Sequence, residues 1–356
     1  VYQGYMMFPY TRLSPKQVQW SKNPAQESSF SLLFANVLIE NHNAARLKEI
    51  IKRADPDLIL TAETDDWWRE QLKEFDQTHS YVVAQPQDNS YGILLQSRLE
   101  LINPQVKFLV QDDIPSIHTR VKLLSGIEVE LRGLHPRPPV PEEDGRSTER
   151  DAELLVVGKE VKGKKDPIVV LGDLNDVAWS RTNNLFQDIS GLLDPRIGRG
   201  FYHTFHAKYP FIRFPLDHFF HSNQFRLVEL RRLPYFGSDH FPVYIKLNYE
   251  PDAEKEQEEL HADQSQKKEA EEKKRLEEEK DSVYVDDPIA VDTNIVSFDA
   301  VVLNRKTGQI IGGLKKSNFQ VFEDGVKKEI SNFTTPESPI TGTSVTVTRK
   351  DSPDLD

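Results

Sequence analysis

Asp173 and Asn175, in the run Gly172-Asp173-Leu174-Asn175-Asp176, have the types and spacing for chemistry. They follow Ile168-Val169-Val170-Leu171, a short β-branched run that reads as a buried strand. In α/β proteins the carboxyl end of such a strand is where ligands are met. Alternate side chains of an extended segment share a face, so Asp173 and Asn175 can address one bound group while the small Gly172 lets it approach. Taken alone, the same residues read equally well as a polar turn.

The elements that must position such groups recur along the chain, each ending on a polar residue. Asn36 closes the strand-like run 31–35, and Glu63 follows Leu58-Ile59-Leu60-Thr61-Ala62. His135 ends the alternating run 127–134, in which Ile127, Val129 and Leu131 take one face and Glu128, Glu130 and Arg132 the other. Asp217 lies in Pro215-Leu216-Asp217-His218-Phe219-Phe220, and Gly237-Ser238-Asp239-His240-Phe241-Pro242 precedes another alternating strand. In isolation Glu63 is more often a surface cap and His135, before Pro136, more often a turn; the ordered set is what carries weight.

This set resembles the endonuclease/exonuclease/phosphatase superfamily, the deoxyribonuclease-I-like metallophosphodiesterases, over roughly residues 30–248, about two thirds of the chain. The resemblance implies an α/β fold, a four-layered sandwich of two mixed β-sheets flanked by helices. It implies divalent-metal-dependent hydrolysis of phosphodiester or phosphomonoester bonds, in nucleic acid or phospholipid-type substrates. The implied ion is Mg²⁺, with Mn²⁺ as a substitute, because hard cations take carboxylate and amide oxygens. Glu63 is its first ligand, with Asn36 beside it and Asp239 next. Asp173 and Asn175 align or activate the attacking water. His240 is the acid/base on the phosphate side, and Asp217 fixes its tautomer. His135 takes the second histidine position, as phosphate ligand or leaving-group acid. Which histidine is base and which acid, and whether one ion or two act, stays open at this stage.

Arg196 and Arg199, in Arg-Ile-Gly-Arg-Gly, are of the type for a bidentate phosphate clamp, and equally for a salt-bridged structural loop. Arg137 joins them as a candidate groove residue. His118, His203, His206, His218 and His221 read as ordinary packing or surface histidines, as do Trp67, Trp68 and Trp179 among the aromatics.

Within the superfamily, Asp176-Val177-Ala178-Trp179-Ser180, Leu193-Asp194-Pro195-Arg196-Ile197-Gly198-Arg199-Gly200 and Pro215-Leu216-Asp217-His218 are similar to bacterial membrane-anchored members. Those carry hydrophobic helices before the catalytic domain, followed by a segment like Phe8-Pro9-Tyr10-Thr11. That implies the periplasmic, extracytoplasmic face of a bacterial membrane, reached through an N-terminal anchor. No run here approaches the roughly 18 to 20 apolar residues that span a bilayer, and Val1 is not an initiator methionine, so a trimmed ectodomain is expected.

Charge divides the chain. Residues 1–250 hold 30 Lys and Arg against 33 Asp and Glu, whereas 251–356 hold 15 against 24, so most of the net −12 belongs to the end. A nearly neutral catalytic region does not suggest tight non-specific nucleic-acid binding, which comes from phosphate neutralisation. With no cysteine there is no disulfide framework and no thiolate zinc site.

The expected organisation is an N-terminal tether over 1–29, the catalytic domain over 30–250, a charged helical or disordered linker over 251–281, a small β module over 282–335 and a flexible tail over 336–356. Asn43 can cap a helix carrying Leu47, Ile50, Ile51 and Ala54, ended by Asp55-Pro56. A second helix is expected over 146–161, with Ala152, Leu155 and Val156 inward. Residues 251–281 carry 13 acidic and 7 basic residues and five apolar ones, too few for a core. Further on, Phe319-Gln320-Val321-Phe322, Glu323-Asp324-Gly325 and the following Val326 form a hairpin pattern. This end resembles the β segment that precedes the von Willebrand A domain in acidobacterial proteins. The alternative to an enzyme is a non-catalytic binding or scaffold protein, with the β module presented to a protein partner.

Overall fold

In the computed structural model the apolar runs pair into two sheets. It describes residues 2–138, 148–282, 315–316, 319, 321–323 and 326–328. The chain divides into two compact units, Val1–Val283 and Tyr284–Asp356.

The first unit begins with a short helix, α1 (Tyr2–Met7), followed by β1 (Ser29–Asn36), α2 (Ala44–Ala54), β2 (Leu58–Ala62) and α3 (Asp66–Leu72). Strands β3 (Tyr81–Gln85), β4 (Ile93–Ser97), β5 (Glu100–Phe108), β6 (Pro115–Lys122) and β7 (Glu128–Leu134) come next. Then follow α4 (Thr148–Val161), β8 (Ile168–Asp173), α5 (Arg181–Ser190), β9 (Asp217–His221), β10 (Phe225–Arg232), β11 (Val243–Tyr249) and α6 (Gln264–Ser282). One sheet has the order β10-β11-β1-β2-β4-β3 and the other β5-β6-β7-β8-β9. Both are mixed, with β1 parallel to β2 and β7 parallel to β8 among antiparallel neighbours.

Strand alternation explains the four layers. Phe30, Leu32 and Phe34 of β1 share a buried cluster with Ile117, Leu131, Val169 and Leu171 of the other sheet. The intervening Leu33 and Ala35 pack with Leu47, Ile50 and Ile51 of α2. On β8, Ile168 and Val170 meet Leu154, Val157 and Val161 of α4. Strands covered on both faces read as near-continuous apolar runs, which is why these segments stood out. Truncating a seam leucine such as Leu60 to alanine costs about 2–5 kcal/mol. The seam is close at Gly133, where a Cβ would lie 2.9 Å from Leu60 Cδ2.

Three expectations differ from the structure. On α4, Leu154, Val157 and Val161 are buried and Val156 is only half-buried. The reason is that α4 is clasped twice, by the sheet and by α6, where Leu155 meets Ala262 and Ala270. The stretch 251–281 is therefore not a free linker: α6 lies against α4 and α5. Its apolar contact is Ala270, with Ala262 just before the helix, ringed by the ion pairs Lys159–Glu271, Arg181–Glu269 and Lys273–Asp151, at 2.6, 2.6 and 2.7 Å. Nor are residues 8–21 a simple tether. Tyr10 and Val18 are buried, Tyr10 donates its hydroxyl proton to Ala178 O at 2.7 Å, and Leu227 N donates to Gln19 O at 2.9 Å.

In the second unit, β12 (Val321–Glu323) pairs antiparallel with β13 (Val326–Lys328), with Glu323 opposite Val326. The remaining strands expected over 282–335 and the tail over 336–356 lie outside the described residues. Among the described residues no helix is long and apolar enough to cross a membrane.

Candidate active site

Strand register gathers the polar strand ends at one edge of the sandwich. The parallel pair β1/β2 sets Asn36 opposite Ala62, so Glu63 emerges beside Asn36. The parallel pair β7/β8 sets Leu134 opposite Gly172, so His135 and Asp173 leave neighbouring strands at the same end. The antiparallel pair β8/β9 then puts Asp217 opposite Asp173. Ser238 ties in the last segment: its Oγ donates to Asn36 O at 2.8 Å and accepts from His240 N at 3.0 Å.

Asp173 is the hub. Its Oδ2 accepts from Asn36 Nδ2 at 3.1 Å and lies 3.4 Å from His240 Nε2 and 3.9 Å from His135 Nε2. Its Oδ1 accepts from Asn175 N at 2.9 Å. Asn36 Nδ2 also donates to Glu63 Oε1 at 2.8 Å. His240 Nδ1 is 3.0 and 3.2 Å from the two Asp217 oxygens, the base-plus-orienter arrangement. Asn175 Nδ2 donates to Pro136 O at 3.0 Å, which fixes the turn against the His135 segment.

The backbone is strained where function is concentrated. Glu63 and Asn175 have φ of 58° and 52°, left-handed values that most side chains avoid at a cost on the order of 1 kcal/mol or more. Gly172, at φ 147°, passes so close to β7 that a Cβ would sit 1.8 Å from Leu134 O. No other residue fits there.

Electrostatics separates the groups. Burial alone would depress the His240 imidazole, but Asp217 and Asp173 outweigh it and hold the ring at about 10. His135 is lowered, chiefly by burial. Burial raises Asp173 against the opposing pull of His240. Glu63 is pushed up to about 7 by burial, with Asp173 and Asp239 adding to the rise and Asn36 opposing it. Asp173, Asp217 and His240 offer ligand atoms within 4.8 Å of one another, a spacing that could hold a metal. With Asp173 and Asp217 on either side, the ring favours its protonated form over ligation. Hard oxygen donors lie instead on the Glu63 and Asp239 side.

The structure thus brings together Asn36, Glu63, His135, Asp173, Asn175, Asp217, Asp239 and His240. Asn36, expected beside the ion, accepts from Leu38 N at its Oδ1 at 3.0 Å and acts here through Nδ2 as a bridge between Glu63 and Asp173. The arginine clamp is corrected. Arg196 is buried and gripped by Asp194, with Nη2–Oδ2 at 2.7 Å, and it donates to Asp217 O at 3.0 Å. Arg199 is buried too, bonded to Pro195 O and Val18 O beneath the Trp20 ring. Both face inward because they pin the N-terminal segment to the domain. Arg137 does reach the rim, half-buried, 2.9 Å from Asp113 and 5.5 Å from the Tyr91 ring that flanks His135.

His118, His218 and His221 are buried with protein partners. Trp68 is core, while Trp67 sits edge-on to His42 and Trp179 against Tyr10. Sequence reasoning missed Arg150, whose Nη1 donates to Asn175 O at 2.9 Å. Its one signal was position, at the start of the helix before β8.

The model of the Endonuclease/Exonuclease/phosphatase family matches residues 33–240. Among solved structures, the human Nocturnin catalytic domain with bound sulfate is similar at TM-score 0.52 and 15% identity, covering 64% of this chain and 96% of that one. D. rerio TDP2 complexed with single-strand DNA product gives 0.51 and 16%, covering 62% and 99%. An endonuclease/exonuclease/phosphatase from Bacteroides vulgatus gives 0.51 and 16%, covering 62% and 99%. At these identities the likeness is one of fold. No curated protein matches the chain in sequence.

Proposed function

The chain belongs to the endonuclease/exonuclease/phosphatase family, and from that premise we propose that it hydrolyses phosphodiesters with a divalent metal ion. The observation that carries this is the Asp173–His240–Asp217 arrangement set beside Glu63 and Asp239. Glu63 and Asp239 would hold the ion, Mg²⁺ or in its place Mn²⁺. They fit it as hard oxygen donors, and Glu63, raised to about 7, takes its side-chain hydrogen bonds from Asn36 and the Ile39 amide. When bound, such an ion supplies Lewis-acid neutralisation of the phosphoryl oxygens.

The chain's own groups do the rest. Asp173, made more basic by burial, accepts a proton from the attacking water, and Asn175 on the adjoining turn orients it. His240 carries a proton on Nε2, aimed at a phosphoryl or leaving oxygen, because Asp217 holds the other ring nitrogen. His135, kept neutral by burial, faces the same Asp173 oxygen as His240.

The rim favours a phospholipid-type substrate. The segment that leaves Phe205, whose ring is 5.0 Å from that of His240, exposes Tyr209, Phe211 and Ile212 at 59%, 98% and 61%, with Lys208 exposed beside them. Aromatic and aliphatic tips above a cation suit an interfacial headgroup, and the near-neutral net charge of residues 1–250 offers little of the phosphate neutralisation on which tight duplex binding draws. The fold likeness to D. rerio TDP2, solved with a single-strand DNA product, makes nucleic acid the comparison arm.

The test is turnover of bis-p-nitrophenyl phosphate, phospholipid vesicles, plasmid DNA and RNA, each with Mg²⁺, with Mn²⁺ and with EDTA. Metal-dependent turnover with vesicles preferred is expected. Absence of turnover on every member would remove the catalytic reading, and preference for DNA or RNA would reassign the substrate.

A further inference from the structure

The turn that presents Asn175 is held from behind, and the hold continues into α6. Asn175 has φ of 52°, and its carbonyl accepts from Arg150 Nη1 at 2.9 Å. Arg150 Nη2 lies 3.3 Å from Asp176 Oδ2 and 3.0 Å from Asp151 Oδ1. Arg150 and Asp151 are both buried, 7% and 4% exposed. Asp151 turns its second oxygen to Lys273 of α6, with Nζ at 2.7 Å, and Lys273 also donates to Thr182 Oγ1 at 3.3 Å. Contacts thus run without a break from α6, outside the family-matched residues 33–240, to the water-orienting turn.

We infer that Lys273 is a positioning residue for Asn175, acting through Asp151 and Arg150 and not through the docking of α6 as such. The inference rests on the phosphodiesterase reading above. In a low-dielectric cluster, charges compete for one another at full strength. Lys273 satisfies one oxygen of Asp151 while the Arg150 guanidinium spans the other, Asp176 and the Asn175 carbonyl. Without Lys273, Asp151 draws Arg150 toward itself, and the left-handed turn loses the donor that holds its carbonyl. Lys159 makes a contrasting contact: it joins α4 to α6 through Glu271 at 2.6 Å. Among the described residues its ammonium bonds Glu271 and no atom of the turn, so it reports on docking alone.

The experiment uses the full chain and three variants, Lys273→Met, Lys273→Arg and Lys159→Met. Steady-state hydrolysis of bis-p-nitrophenyl phosphate with Mg²⁺ is measured beside hydrogen exchange of the peptide spanning 174–178. For Lys273→Met, kcat is expected to fall roughly 2- to 30-fold, the range typical of remote coupling. KM should stay within about twofold and the 174–178 amides should exchange faster. Lys273→Arg restores both, and Lys159→Met changes neither. Wild-type kcat and exchange in Lys273→Met would overturn the inference, as would equal losses in Lys159→Met. If the wild type itself turns over no substrate, the phosphodiesterase reading fails, and the exchange comparison still decides the coupling.

Discussion

Beneath the N-terminal segment, Asp194 and Arg196 are as buried as any residue at the strand ends, but each is matched. Arg196 meets both Asp194 oxygens, the Asp217 carbonyl and His218, all between 2.7 and 3.2 Å. At the strand ends, by contrast, Glu63, Asp173 and Asp217 share the Asn36 amide and one imidazolium, and Glu63 and the adjoining Asn175 have left-handed backbones. The first region is a joint, in which buried charge fixes one chain segment to another. The second is poised, with the Glu63 and Asp173 carboxyls raised by burial. Buried charge signals stability in one and readiness for a ligand in the other, and substitution should separate them.

The largest contrast should come from His240→Ala. Loss of a general acid lowers kcat by roughly 10²- to 10⁴-fold, and because the imidazolium is also the partner of Asp173 and Asp217 the melting temperature falls too, as rate assays beside thermal melts will check. Arg196→Met should act on stability alone. It strands Asp194 without its cation and costs about 3–5 kcal/mol in urea unfolding; a loss below about 1 kcal/mol would erase the distinction.

Glu63→Gln sharpens the comparison through pH. The folded carboxyl is raised to about 7 against an ordinary value of 4.5, so the folded state keeps its proton longer than the unfolded chain. Its stabilising contribution is full below about pH 4.5 and is lost as pH rises through about 7, a swing of up to about 3 kcal/mol. In EDTA, the wild type should lose urea resistance between pH 5 and 8 relative to Glu63→Gln, and parallel curves would show that the carboxyl is not strained. The smallest effect belongs to an exposed pair. Lys122 lies 3.0 Å from Glu100, both side chains nearly half exposed, and Lys122→Met should shift unfolding by less than about 1 kcal/mol.

The site was legible because each group follows its own apolar run, and strand pairing brings those ends together by register alone. Asp173, Asp217 and His240 needed no knowledge of distant packing. Arg196 and Arg199 did need it: a guanidinium has the same type whether it meets phosphate or a protein carboxylate, and only the path of residues 8–21 decides. The α6 contact was hidden because its anchors are alanines and ion pairs, which read as a solvated face. Val156 misled for a related reason, since a helix covered on two sides has no single apolar stripe.

The contact between Gly133 and Leu60 has a consequence of another kind. Leu60 lies three residues before Glu63 on one sheet, and Gly133 two residues before His135 on the other, so their touching surfaces act as a spacer gauge between the two halves of the centre. The gauge is set by a side chain that is missing. A methyl group there would shim the sheets apart at the end where Glu63 and Asp173 must meet, turning a dimension of the core into the tolerance of the chemistry.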